Sequence, residues 1–393
     1  MMDVTSRREI VRRLLAKAVA AVDPEPLTSE ALGAQGDQGV TLIAIGKASI
    51  AMSRGASRRM SHPTGVCVSL APDRVPEGIE LVIGDHPIPG DGSFHAGRRV
   101  LEVAERAPGK IIALVSGGGS AMCEHPITGV TREFIREVNE VLVSSGASIA
   151  QTNLVRRHLS AIKGGGLTVA AEKAIETYVI SDVCGADPSV IASGPTIPAA
   201  ADPEAAISVM IGNGIDVPSP VRDAMRDTSH LNGRAGPVHV IADGHTAAKA
   251  IAESAISKDI PASVMGGWLA GPLTTALDEF MMQSGPGLTI ATGEPELAVA
   301  GGGRGGRNTH AALLAAQMLA GTDLVFAAFA TDGADGNSSS AGAIVDGVTI
   351  SRGGDPRAAL ERYDSAGYLR ATGDLVETGP TGTNVSDLWV LWQ

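Results

Sequence analysis

The chain reads as an α/β protein of two domains, and three observations predict this. Short apolar runs ending in glycine alternate with segments whose apolar residues recur at helical spacing. The hydrophobic residues are small and aliphatic, since 44% of the 393 residues are hydrophobic but only 3% are aromatic. Glycine, with 49 residues, falls in loops at the ends of the apolar runs and shows no triplet period, which excludes a collagen-like or low-complexity chain.

The elements follow in order. Ser6 and Glu9 stand at capping-box spacing, and Ile10, Leu14, Leu15 and Val19 follow at helical intervals, so a helix opens the chain. A polar connection over 23–38 leads to a strand at 40–45, and Gly46-Lys47-Ala48-Ser49 turns into a helix ending near Met60. Strands follow at 66–70 and 79–83, then a Pro/Gly loop at 84–91 and a helix from a Ser93 cap to Arg106. The strand at 111–115 feeds the triple glycine. Helical segments cover 131–145 and the region of Asn153 to His158, which ends near Lys163-Gly164. A short strand at 177–180 opens onto Ser181-Asp182, and 188–203 reads as an ordered irregular loop. Composition shifts to Ser, Asn, Gly and Pro over 226–236, which places the domain boundary between residues 230 and 231. The second domain, 231–393, has strands at 238–242, 288–292 and 324–329, and helices at 247–256 and 308–319. A polar, glycine-rich loop at 378–384 precedes the last strand. Strands alternating with helices imply a largely parallel sheet in the first domain.

Composition excludes several classes of function. The net charge of −12, with no basic tract, argues against nucleic acid and anionic membranes as partners. Cys67, Cys123 and Cys184 are far apart and form no C-x-x-C pair, so neither a zinc cluster nor a disulfide framework is expected, and a reducing cytoplasm is the simplest compartment. No apolar run reaches the length of a membrane span.

The chemistry concentrates in loops. Ser116-Gly117-Gly118-Gly119-Ser120 follows a strand, and three glycines leave backbone N–H groups uncovered, an arrangement that suits phosphate. Gly301 to Gly306 satisfies G-x-G-x-x-G, a weak match in so glycine-rich a run, and would permit a dinucleotide. Arg304 and Arg307 beside it suit a transferring phosphoryl group or a carboxylate. Lys47 follows a strand end but belongs to no Walker motif, because Ala48 stands where Ser or Thr is required; it can still reach a phosphate. Asp182 and Asp187 flank one turn, and Asp332 and Asp335 flank Gly333. Such pairs suit Mg²⁺ or a proton-accepting role, against ordinary Asx-turn chemistry as the alternative. Asn153 and Arg157 share a helix face and can address one polar ligand. His86 is a lesser candidate.

These motifs resemble the glycerate 2-kinases that combine an N-terminal Rossmann-like domain with a C-terminal MOFRL domain. The resemblance runs through Ile45-Gly-Lys-Ala-Ser49, Gly84-Asp-His-Pro87, Ser116 to Ser120, Asn153-Leu-Val-Arg-Arg-His158, Lys163-Gly-Gly165, Ser181-Asp-Val183, Asp187-Pro-Ser189, Ser193-Gly-Pro-Thr196, Gly305-Gly-Arg-Asn308, Ala330-Thr-Asp-Gly333 and Gly379 to Asn384. It implies an N-terminal three-layer α/β domain, a smaller C-terminal α/β domain and an active site in the cleft between them. It implies ATP- and Mg²⁺-dependent phosphorylation of D-glycerate to 2-phosphoglycerate. By the same resemblance Lys47, Arg307 and either Asp182 or Asp187 are catalytic. Ser116, Gly117, Gly118, Gly119, Ser120, Asn153, Arg157, Gly305, Asn308, Thr383 and Asn384 bind substrate or nucleotide, and Asp332 holds the metal. The partners are ATP and a small hydroxy acid, with a second copy of the chain as a candidate. The alternatives are a related sugar-acid kinase or an NAD(P)H-dependent hydroxypyruvate reductase, a name some members carry. Gln151, His310 and Ser339 depart from the pattern, each standing where an acid is expected.

Overall fold

The computed structural model describes residues 3–33, 39–183, 185 and 187–393. Cys184, one of the three cysteines, lies outside them. The chain divides into two compact units, one formed by Pro24–Ser181 and Ala186–Ile241, the other by Met1–Asp23, Asp182–Gly185 and Ala242–Gln393.

The first unit holds six strands, β1 (Thr41–Ile45), β2 (Thr64–Ser69), β3 (Ile79–Ile83), β4 (Ile111–Ser116), β5 (Glu176–Ile180) and β6 (Val238–Ala242). Their order is β3-β2-β1-β4-β5-β6, and β3, β2, β1, β4 and β5 run parallel. This is the doubly wound order in which the sheet reverses direction of growth between β1 and β4. The central strands are buried along their whole length, as their unbroken runs Thr-Leu-Ile-Ala-Ile and Ile-Ile-Ala-Leu-Val-Ser require of a sheet covered on both faces. Helix Asp91–Arg106 packs on this sheet, burying Phe94, Ala96, Val100 and Ala104 at helical spacing. A second core joins Phe94 to Phe134, Val138 and Leu142 of helix Arg132–Ser144 and to Met210 of helix Pro203–Gly212.

The second unit holds β7 (Ala262–Leu269), β8 (Leu288–Gly293), β9 (Val325–Ala330), β10 (Gly342–Asp346), β11 (Leu375–Val376) and β12 (Asp387–Trp392), in the order β11-β10-β9-β12-β8-β7. Among the described residues of this sheet only β7 and β8 pair in parallel; the other pairings are antiparallel. Phe280, Phe326 and Trp389 meet edge to face in its core, with ring centroids 5.8–6.0 Å apart, each such pair adding about 1 kcal/mol to the burial of its rings.

The expected division into 1–230 and 231–393 differs from these units in three ways. The main segment of the second unit begins at Ala242, the first helix, Val4–Ala21, belongs to it, and so does the segment Asp182–Gly185. Charge explains the second point. Arg8 donates to Asp346 at 2.7 Å and to Asp374 at 2.6 Å, and Arg352 reaches the same two buried carboxylates. The helix is also capped differently from expectation. Asp3 accepts from Ser6 N at 2.8 Å, and Glu9 instead pairs with Arg12 and Arg13. The segment read as a polar connection contains the helix Pro24–Leu32.

Candidate active site

In open α/β sheets ligands gather beyond the C-terminal ends of the strands where strand order reverses. In the first unit that point lies between β1 and β4, and two of the loops singled out in the sequence leave the sheet there. Gly46 takes φ 122°, and a Cβ on it would lie 2.4 Å from the Ser116 carbonyl oxygen. Only glycine lets the two loops close on each other here. They are then tied by two bonds, from Lys47 N to Gly117 O at 2.9 Å and from Ala48 N to Ser116 Oγ at 3.0 Å. The stem of Lys47 crosses Gly118, whose φ is 83°; a Cβ there would lie 3.2 Å from Lys47 Cγ. The Lys47 side chain is exposed and has no partner among the described residues. Nor do the amides of Gly118, Gly119 and Ser120 have an acceptor among them. A cation and three open amides around one turn form an anion cradle.

Asn153 and Arg157 lie on helix Ile149–Leu159 and both face the loop at 189–193. Asn153 is buried; its Nδ2 donates to Val190 O at 3.3 Å and its Oδ1 accepts from Ser193 Oγ at 2.6 Å. Arg157 donates to Ser189 O at 2.5 Å. Both hold the loop that carries Ala192, Ser193 and Gly194, three successive residues at φ 50°, 59° and 65°. Backbone in that region costs on the order of 1–3 kcal/mol per non-glycine residue and persists only when the surroundings enforce it. Ser193 Oγ lies 2.7 Å from Ser120 Oγ, which joins this loop to the glycine turn. Asp187 is exposed and accepts from Ser189 N at 2.9 Å, an Asx turn.

Two histidines stand nearby, His158 and His86. His158 accepts from Asp202 N at Nε2 and therefore carries its proton on Nδ1, facing Leu154 O. Desolvation, then the cations Lys47 and Arg156, hold the His86 imidazole below its ordinary value. Beneath the turn lies a pair that sequence reasoning missed, Lys163 with Glu124, each 1% exposed. The only signal was an acid directly after the apolar Ala121-Met122-Cys123.

In the second unit Arg307 opens helix Arg307–Met318. Its Nε donates to Asp387 Oδ2 at 2.5 Å, its Nη2 to Asp387 Oδ1 at 3.3 Å and its Nη1 to Glu294 Oε1 at 2.7 Å. A guanidinium has five N–H donors, so one remains on each Nη. Burial pushes the Asp387 carboxyl up to about 6, against the pull of Arg307, which acts in the opposite direction. The sequence reading named neither Asp387 nor Glu294. Asp335, by contrast, is committed to the helix start: its oxygens accept from Asn308 N at 2.9 Å, Thr309 N at 2.8 Å and Thr309 Oγ1 at 2.7 Å, capping the helix. Asp332 is half-buried, and one of its oxygens accepts from Ala334 N at 3.0 Å.

Three loops of this unit interlock. Gly305 N donates to Asn337 Oδ1 at 2.8 Å, and Thr381 Oγ1 donates to Thr331 O at 2.5 Å. Two side chains expected to bind ligand make bonds within the protein. Thr383 is buried and donates to Val22 O at 2.8 Å, and Asn308, fully buried, accepts from Trp389 Nε1 at 3.3 Å. Asn384 Nδ2 faces Asp182 Oδ2 at 3.3 Å. The run Gly301 to Gly306 is not a dinucleotide turn. Residues 294–300 separate it from β8, and β8 pairs with the antiparallel β12 rather than with β9. The departures also find local roles. Gln151 closes a capping box with Ser148, His310 stacks on Tyr363 with centroids 5.4 Å apart, and Ser339 accepts from Arg370 at 3.4 Å.

A family profile described as a domain of unknown function, DUF4147, matches residues 10–226, and the MOFRL family profile matches residues 287–387. The chain is 33% identical to a Thermotoga maritima protein named D-glycerate 2-kinase, over 99% of both chains. The crystal structure of a Thermotoga maritima glycerate kinase superposes with a TM-score of 0.89 at 31% identity, covering 99% of each chain. The chain belongs to the two-domain glycerate 2-kinase family. This confirms the resemblance carried by the motifs. A protein of Agrobacterium vitis with the provisional name hydroxypyruvate reductase is 35% identical over 98% of this chain and 94% of its own. Both names occur in the family, and the kinase name is the one borne by the solved relative. Among the described residues no helix is long and apolar enough to cross a membrane.

Proposed function

We propose that this chain transfers the terminal phosphoryl group of ATP to D-glycerate, giving 2-phosphoglycerate. The observation that carries the reading is the pairing of full-length similarity to a D-glycerate 2-kinase with an exposed, unpartnered Lys47 beside three open amides. Phosphoryl transfer asks a protein mainly for positioning and for fixed charge where charge develops. The Gly118, Gly119 and Ser120 amides and the Lys47 ammonium hold anionic oxygens of phosphate or carboxylate. Arg307, held by Asp387 and Glu294, keeps an N–H on each Nη for the oxygens of the transferring group. Asp182 is half-buried against Asn384, whereas Asp187 closes an exposed turn, so orientation of the attacking hydroxyl falls to Asp182.

Mg²⁺ fits this donor set in one place. Asp332 offers a carboxylate oxygen with no partner among the described residues, and a single carboxylate suits an ion that keeps most of its waters. Bound there, the ion would neutralise phosphate charge. A coupled ADP-release assay with D-glycerate tests the reading: ADP forms only when both substrates are present. NAD(P)H oxidation by hydroxypyruvate, without ADP release, would favour the reductase instead.

A further inference from the structure

The chain of hydrogen bonds from helix Ile149–Leu159 to the glycine turn has a direction, and the direction can be read from donors and acceptors alone. The Val190 carbonyl can only accept, so the amide nitrogen of Asn153 faces it, at 3.3 Å. The other atom of that amide is then an oxygen, which can only accept. Ser193 Oγ lies 2.6 Å from it and must give it its one proton. Ser193 Oγ also lies 2.7 Å from Ser120 Oγ. With its own proton spent, Ser193 can meet Ser120 only as an acceptor, so Ser120 gives its proton to Ser193. The reverse direction would set the Ser193 lone pairs against the Asn153 oxygen at 2.6 Å, inside a site where Ser193 is 0% and Asn153 3% exposed. Two buried acceptors facing each other with no proton between them are costly. The strained backbone at Ala192 and Ser193 supports this: the fold pays for left-handed residues here and in return holds the Ser193 hydroxyl on this line.

We propose that Ser193 is a positioning residue that accepts the hydrogen bond of the Ser120 hydroxyl, so that Ser120 meets a ligand only as a hydrogen-bond acceptor. Half-exposed at the glycine turn, Ser120 then offers lone pairs where its neighbours Gly118 and Gly119 offer N–H groups. An anionic oxygen is drawn to the amides and repelled by Ser120. A hydroxyl group, which donates, is accepted by it. The turn thereby tells the alcohol group of a hydroxy acid from its carboxylate and from phosphate. This assignment of the ligand rests on the proposed function, but the proton direction does not.

The test uses Ser193→Ala and Ser120→Ala in the full chain. Alanine already occupies the same backbone region at position 192, so Ser193→Ala removes the hydroxyl with little added strain, and thermal unfolding checks that both variants fold. Two quantities are read: KM for D-glycerate, and the inhibition constant of inorganic phosphate. In Ser193→Ala the Ser120 proton is released and can turn toward an anion. KM for D-glycerate should then rise about fivefold while phosphate inhibits about fivefold more strongly, the worth of one neutral hydrogen bond. Ser120→Ala should raise KM similarly without the gain in phosphate inhibition. A merely structural role for Ser193 would weaken both ligands together, and that result, or no change in either, overturns the proposal. If the wild-type protein does not phosphorylate D-glycerate, the functional reading fails. Phosphate binding to wild type and Ser193→Ala, measured by calorimetry, then still decides the proton direction.

Discussion

Replacing Asp387 by asparagine tests how Arg307 is held. The side chain keeps its shape but loses its charge, and one of its two contacts with the guanidinium becomes a donor facing a donor. One charge-assisted bond, at 2.5 Å or 3.3 Å, is therefore lost, a change of about 1.5–3 kcal/mol that is partly offset because a buried charge is removed as well. The two contributions are of similar size and opposite sign, so urea unfolding at pH 7 should shift by no more than about 1 kcal/mol. The effect on catalysis is larger. A guanidinium displaced by about 1 Å loses on the order of 100-fold in rate, and kcat in the coupled ADP-release assay should fall by that factor with a smaller change in KM. The pH profile gives a second reading. Burial raises the Asp387 carboxyl from 3.8 to about 6, so below about pH 6 it protonates and releases Arg307. Wild-type kcat/KM should fall on that acid limb, and Asp387→Asn should be flat there. Stability has the opposite sign. A raised folded-state value means this group's contribution is full below about pH 4 and lost as pH rises through about 6, a swing of about 3 kcal/mol at most. A kcat within twofold of wild type, with the acid limb intact, would refute the view that Asp387 positions Arg307.

Three further outcomes follow from the geometry. Lys47→Ala should lose about 100- to 1,000-fold in kcat/KM, by analogy with removal of one charge-stabilising donor, while Tm stays unchanged because the side chain is exposed and unpartnered. Gly118→Ala forces a side chain to φ 83° and places its Cβ 3.2 Å from Lys47 Cγ; it should cost about 1–2 kcal/mol of stability and raise KM for ATP or glycerate in steady-state kinetics. Lys163→Met leaves the buried Glu124 carboxylate alone, and chemical denaturation should show a loss of about 3–5 kcal/mol; a loss below 1 kcal/mol would mean the pair adds little to the fold beneath the glycine turn.

What the sequence made legible was set by the range of the interactions involved. The buried strands β1, β4 and β8 announced themselves as continuous apolar runs, and their bounds lie within a residue or so of those expected. The strand β7, Ala-Ser-Val-Met-Gly-Gly-Trp-Leu, did not, because its two glycines argue against a strand and lie in the irregularity that interrupts its pairing with β8. β10 was hidden for a similar reason, being five residues between glycine-rich turns. Helix Pro24–Leu32 carries a prolyl residue at each side of Glu25 and reads as a connection. At the candidate site the glycines and Lys47 were visible because they cluster within one loop each. The carboxylates that hold Arg307 stand 80 and 13 residues away from it, and only the fold brings them there. Asn153 and Arg157 were correctly seen to share a helix face. What lies opposite that face, the strained loop at Ser193, has no local signature, so the bonds they make to it could not be read in advance.

The measurement that tests the central claim most directly is phosphorus NMR of the product formed from ATP and D-glycerate by the purified chain. The account predicts a single new monoester, 2-phosphoglycerate, in step with ADP, and its loss in Lys47→Ala. A wild-type protein that yields no phosphoglycerate, or a Lys47→Ala variant that yields as much as wild type, would contradict it.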